Sequence, residues 1–93
     1  MIQFIVHDEG DSVGVVVVEG IQRGDALSGW ILDQQAEISA TALSDIPIGH
    51  KLAIRDLQAG DTVIKYGVDI GRTVAPIAAG EHAHVHNVKT KRW

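Results

Sequence analysis

Ile21-Gln22-Arg23-Gly24-Asp25-Ala26-Leu27, Leu57-Gln58-Ala59-Gly60-Asp61-Thr62-Val63 and Ile77-Ala78-Ala79-Gly80-Glu81-His82-Ala83 follow one pattern: an apolar residue, two spacers, Gly, an acid, one spacer and a second apolar residue. Gly takes up positive φ without steric cost, and a strand entered after the acid turns its apolar residue inward. Each stretch therefore predicts a type I turn closed by a left-handed Gly and followed by a strand. The three units are short and unevenly spaced, so they mark loop-to-strand entries and not a solenoid.

Working outward, short β-rich runs recur at 2–6, 13–18, 29–32, 38–42, 52–54, 62–66, 73–76 and 83–88. No 11-residue window sustains apolar positions at helical spacing without an interrupting Gly or Pro, and the ten glycines are spread along the chain. The expected architecture is all-β, one small domain. Val15-Val16-Val17-Val18 lacks polar alternation, so both of its faces should be covered, in a central strand or at an interface, with Trp30 near the same contact.

Ninety-three residues with 45% apolar and 22% charged content suit a single folded domain and lie outside the disorder regime. No stretch approaches the roughly 18 apolar residues of a membrane span, and Met1-Ile2-Gln3-Phe4 lacks a basic leader, so the expected location is cytoplasmic with no membrane contact. The absence of Cys excludes disulfides, thiolate metal sites and thiol nucleophiles. Residues 1–49 carry eight acids and one base, residues 50–93 four acids and seven bases. An anion would thus meet the C-terminal half, although a solvated surface with an accidental imbalance reads the same way.

His82-Ala83-His84-Val85-His86 places imidazoles at alternate positions, which on a strand share one face and can close on a divalent metal at about 2.0–2.2 Å. An exposed polar strand face is the competing reading. His50 follows Gly49 and precedes an apolar strand, a position suited to a general base near neutral pH or to a plain turn. Arg55 and Lys65 lie in the same region, next to Asp56 and near Asp61, and would otherwise be surface ion pairs. Walker, dinucleotide and Gly-x-Ser-x-Gly motifs are absent, and three basic residues beside Trp93 do not make a nucleic-acid surface in a chain of net charge −4.

Three separated motifs, Asp45-Ile46-Pro47-Ile48-Gly49-His50-Lys51-Leu52, Gly60-Asp61-Thr62-Val63-Ile64-Lys65-Tyr66-Gly67 and Gly80-Glu81-His82-Ala83-His84-Val85-His86-Asn87, resemble the SAF-type N-terminal domain of the altronate and galactarate dehydratase family. The resemblance covers residues 1–90 and leaves 91–93 as a basic tail. It implies a β-clip fold and a separate large catalytic subunit as partner, because the family's catalytic domain has no counterpart in this chain. Gly14-Val15-Val16-Val17-Val18-Glu19-Gly20 and the ending His86-Asn87-Val88-Lys89-Thr90-Lys91-Arg92-Trp93 resemble sulfo-lyase small subunits. They imply elimination of sulfite from a small anionic 2-hydroxy acid, 3-sulfolactate, giving pyruvate. A sugar-acid dehydratase subunit and a non-catalytic assembly module are the alternatives.

From motif position, the resemblance implies His50 and His86 as catalytic residues, and Lys51, Arg55, Lys65 and Asn87 as substrate contacts. It implies His84 and His86 as metal ligands, with Fe2+ shared with or held by the large subunit.

Overall fold

Phe4 determines how the first strands meet. A computed structural model of the chain describes residues 1–8, 10–65, 68–83 and 88–89, with backbone alone for Lys65, Val68, Asp69 and Lys89. The strands are β1 (Phe4–Val6), β2 (Val13–Val16), β3 (Ala26–Ile31), β4 (Ala36–Thr41), β5 (Lys51–Ala53), β6 (Thr62–Lys65), β7 (Val68–Thr73), β8 (His82–Ala83) and β9 (Val88–Lys89). The described residues form no helix, in keeping with the all-β expectation. One sheet runs β4-β3-β1-β2-β5-β8 and a second β6-β7-β9. Phe4 stands opposite Gly29 across the parallel β1–β3 pair, and its fully buried ring lies over that glycine. A Cβ at Gly29 would sit 2.2 Å from the ring, so any larger residue there would force the buried ring to move.

Two apolar clusters lie on either side of the β2–β5 pair. Phe4, Val6, Val16, Ile21, Leu27, Ala42, Ile46 and Leu52 form the first, and Val13, Ala53, Leu57, Val63, Ile77 and Ala83 the second. Adjacent strand residues point to opposite faces, so Leu52 and Ala53 divide β5 between the clusters, as Val16 and Val13 divide β2. Of the Val15–Val18 run expected to be covered on both faces, Val16 is buried and Val15 half-buried. The coverage stops there, because β2 ends at Val16 and Val17 is 43% exposed.

One strand expectation changes. The segment 73–76 is not a strand: β7 ends at Thr73, Val74 is exposed, and Pro76 has no N–H for a ladder. The strand is instead Val68–Thr73, despite its Gly and Asp, because β6 pairs with it through a register shift between Val63 and Ile64. Of the segment 83–88, Ala83 belongs to β8 in the larger sheet and Val88 to β9 in the smaller, and the residues between them lie outside the described ones.

The three Gly-acid units do lead into β3, β6 and β8, but their turns are type II. The Asp25, Asp61 and Glu81 N–H groups donate to the carbonyls of Gln22, Gln58 and Ala78 at 3.0 Å. The Gly at the third turn position has φ of 95°, 89° and 93° in turn, where a type I turn needs a negative value. In each unit the acid carboxylate also accepts the N–H of the turn's first residue: Gln22 to Asp25 at 2.9 Å, Gln58 to Asp61 at 2.7 Å and Ala78 to Glu81 at 2.8 Å.

The structure contains a fourth turn of this kind, Pro47-Ile48-Gly49-His50, closed by a 3.1 Å bond from His50 N–H to Pro47 with Gly49 at φ 83°. All four dock on a neighbouring strand, or in the first case on the residue just after one, through the same reciprocal pair of backbone bonds. Gly24 and Asp25 clasp Ala42, Gly49 and His50 clasp Val16, Gly60 and Asp61 clasp Thr73, and Gly80 and Glu81 clasp Ala53, at 2.7–3.0 Å. The leading apolar residues bridge in pairs, Ile21 with Ile46 and Leu57 with Ile77. Asp45 and Asp56 fasten the two pairs by accepting the N–H groups of Arg23 and Ala79 at 2.9 and 2.8 Å.

Candidate functional site

The fourth turn departs from the others at its last position. The other three place there an acid whose carboxylate folds back onto the N–H of the turn's first residue. Here the first residue is Pro47, which has no N–H to offer, and the last is His50. The His50 side chain bonds elsewhere: its Nδ1 lies 2.8 Å from His82 Nε2, with ring centroids 4.9 Å apart and planes tilted by 34°.

The sheet register makes this contact possible. His82 on β8 stands opposite Leu52 on β5, and His50 lies two residues before Leu52. That diagonal is about 7–8 Å, within reach of two long planar side chains. His82 is held from behind by its own N–H, which donates to Ser44 Oγ at 2.8 Å. Both imidazoles are half-buried at the edge of the first cluster's face.

The other expected site residues do not gather around His50. Lys51 is half-buried and alternates with Leu52, so it leaves β5 on the second cluster's side, with Ala53. Arg55 follows the far end of β5, where its Nη2 donates to the buried Ser12 Oγ at 3.1 Å, an atom that also accepts Ile64 N–H at 3.1 Å. It lines an open cleft of about 370 Å3 with Asp56, Leu57, Asp61, Thr62 and Ile64. Two carboxylates against one guanidinium make that cleft a poor cradle for an anion. Lys65 ends β6 with its backbone opposite Val68. His84, His86 and Asn87 lie outside the described residues.

Among the described residues no three His, Asp or Glu side chains come together as metal ligands. The nitrogens of His50 and His82 are at hydrogen-bond distance; two ligands on one tetrahedral ion at about 2.1 Å each would stand roughly 3.4 Å apart. The described residues alone therefore do not fit a metal site. The arrangement can hold and pass a proton between two imidazoles, with Pro47 as the feature that releases His50 for that contact. Sequence alone marks His82 only as one of three alternating histidines. The signal for its pairing was Ile46-Pro47-Ile48-Gly49-His50, a fourth copy of the turn pattern with its acid replaced.

The family model of the altronate/galactarate dehydratase SAF domain matches residues 2–91. The chain is 62% identical to "(2R)-sulfolactate sulfo-lyase subunit alpha" of Chromohalobacter salexigens, over 99% of this chain and 98% of that one. It is 52% identical to the protein of the same name from Paracoccus pantotrophus, over 68% of this chain and 94% of the relative. It is 36% identical to the altronate dehydratase of Bacillus subtilis, over 97% of this chain but 17% of that enzyme. The chain belongs to the altronate/galactarate dehydratase SAF-domain family.

Proposed function

We propose that the chain is the small subunit of a lyase that eliminates sulfite from (2R)-sulfolactate and acts with a separate large catalytic subunit in the cytoplasm. The observation that carries this reading is the 62% identity to a sulfo-lyase α subunit across 98% of that subunit's length. Altronate dehydratase of B. subtilis, in which the matching segment is 17% of the polypeptide, supports the division of labour. The remainder of such an enzyme would be supplied here by a second chain.

In the reaction a base removes the C2 proton, the C3–S bond breaks with its electron pair leaving on sulfite, and the resulting enol gains a proton at C3 and gives up its hydroxyl proton to become pyruvate. Sulfite departs as an anion and needs no strong general acid. His50 is the base in this proposal, because its ring is already fixed by a hydrogen bond and half-buried at one face. Fe2+ belongs to the proposal as a group held by the large subunit or shared with it through His84 and His86. Bound there, it would stabilise negative charge developing on the substrate.

The test is reconstitution. The chain purified with its large subunit should release sulfite from (2R)-sulfolactate and leave altronate and galactarate unchanged, and the chain alone should release none. Dehydration of a sugar acid without sulfite release would overturn the sulfo-lyase reading in favour of a dehydratase subunit. Sulfite release by the isolated 93-residue chain would overturn the two-subunit reading.

A further inference from the structure

We infer that the outer edge of β4, from Ala36 to Ala40, is a docking strand that takes an extended, Lys- or Arg-bearing segment of the large subunit into the first sheet. The inference rests on the two-subunit reading and names where the two chains join.

β4 closes one end of the six-stranded sheet, and among the described residues only β3 pairs with it. Which of its backbone groups face outward follows from Ala42, which accepts Gly24 N–H at 2.7 Å and donates to the Asp25 carbonyl at 2.9 Å, both on the β3 side. Backbone groups alternate sides along a strand, so Ala36, Ile38 and Ala40 also bond towards β3. Glu37, Ser39 and Thr41 turn their N–H and C=O groups the other way. Beyond Thr41 the edge is already taken, because Leu43 N–H donates to the Gly80 carbonyl at 2.9 Å. Before it, the exposed Glu37 and Ser39 offer two donors and two acceptors in line. The six β3–β4 pairs run without a register shift, and β4 holds no Pro, Lys or Arg, so the usual protections of an edge strand are missing.

The two faces of β4 set what fits beside it. Ile38 and Ala40 are partly buried against the first cluster, and apolar residues on an added strand would finish covering them. On the other face Glu37 stands opposite Trp30, and the β3–β4 hairpin, 26–41, carries Asp33 and Glu37 with no base. A basic side chain on the added strand meets that charge, whereas an acidic one is repelled. A second copy fits poorly, since it would set one acidic hairpin against another. Five residues of edge, about 17 Å long, also cover far less than the roughly 800 Å2 per partner of a stable dimer. A segment of the large subunit is held by the rest of that subunit's contacts, so the edge need supply only its hydrogen bonds and register.

The experiment combines the full chain with the purified large subunit and follows amide hydrogen exchange and binding. In the wild-type complex the Glu37 and Ser39 amides should exchange at least about tenfold more slowly than in the free chain. Ser39→Pro removes an outward N–H that β3 does not use and should weaken affinity for the large subunit at least about tenfold. Ser39→Ala keeps that N–H and should bind within about twofold of wild type. Glu37→Lys should weaken binding at least about threefold, and more at low salt. Unprotected amides in an assembled complex overturn the inference and leave the two-subunit reading intact, as does Ser39→Pro binding as tightly as wild type or Ser39→Ala as weakly as Ser39→Pro. Slowed exchange in the free chain that grows with its concentration overturns it in favour of a second copy. No complex at all overturns the two-subunit reading and the inference with it. A complex that protects both amides yet releases no sulfite supports the inference and overturns only the lyase reading.

Discussion

Pro47 and His50 occupy the first and last positions of one type II turn, and the N–H that Pro47 lacks is the group that an acid at the place of His50 would bind. In the sister turns the pairs are Gln22 with Asp25, Gln58 with Asp61 and Ala78 with Glu81, each joined by a backbone-to-carboxylate bond. The two departures in the fourth turn belong together: a proline leaves no donor, and a histidine needs none there.

Restoring both positions should restore the local bond. In Pro47→Ala/His50→Asp the new N–H meets a carboxylate, whereas in His50→Asp alone the carboxylate has no turn donor. The double variant should be more stable than His50→Asp by about 1 kcal/mol, the ordinary net contribution of one hydrogen bond. Chemical denaturation of both variants checks this; equal midpoints would show that the fourth turn is not equivalent to the others.

The same double variant should stay well below wild-type turnover in the reconstituted complex despite its recovered stability, since it lacks the imidazole. For His50→Ala the expected loss in kcat is about a hundredfold, typical of a positioned general base and equal to about 2.7 kcal/mol of transition-state stabilisation. Wild-type turnover in a correctly assembled His50→Ala complex would remove His50 from the chemistry.

The all-β class and three of the four turns were legible in the sequence because Gly and the following acid carry their own local physics. The turn type was not legible, since the same Gly closes either kind and only the hydrogen-bond partner of Asp25, Asp61 or Glu81 decides. Val68–Thr73 escaped notice because its Gly and Asp disfavour a strand that pairing with β6 nonetheless imposes. The candidate site was half visible. Strand alternation singles out His82 together with His84 and His86, but its partner depends on the β5–β8 register, which joins residues 32 positions apart. Lys51 and Arg55 stand close to His50 in sequence and apart from it in space, because β5 sends successive side chains to opposite faces and ends before Arg55.

Gly24 and Gly80 should separate backbone strain from collision. Both have positive φ, 95° and 93°, so Ala is disfavoured at either. A Cβ at Gly24 meets nothing within 4 Å, whereas at Gly80 it would lie 2.0 Å from the Thr41 carbonyl oxygen. Gly24→Ala should cost on the order of 1–2 kcal/mol. Gly80→Ala should cost at least about 2 kcal/mol more, because backbone must move as well. Thermal melts of the two variants test the difference, and equal losses would mean that the β8 entry and Thr41 are not packed as described.

Arg55 offers the sharpest contrast with His50, because its charge and family position suggest a substrate contact while its bonds suggest a structural one. Its Nη2 shares the buried Ser12 hydroxyl with Ile64 N–H, joining the segment after β5 to β6. Removing the exposed guanidinium leaves Ser12 Oγ with a remaining donor, so Arg55→Ala should cost only about 0.5–1.5 kcal/mol. Ser12→Ala strips the acceptor from a fully buried position and should cost about 1–3 kcal/mol, since it deprives both partners of their common bond. Because the cleft beside Arg55 also carries Asp56 and Asp61, the KM for sulfolactate in Arg55→Ala complexes should stay within about twofold of wild type. A tenfold rise in KM with unchanged stability would instead assign Arg55 to the substrate and show that the cleft, with its two acids neutralised by the partner subunit, lies within the active site.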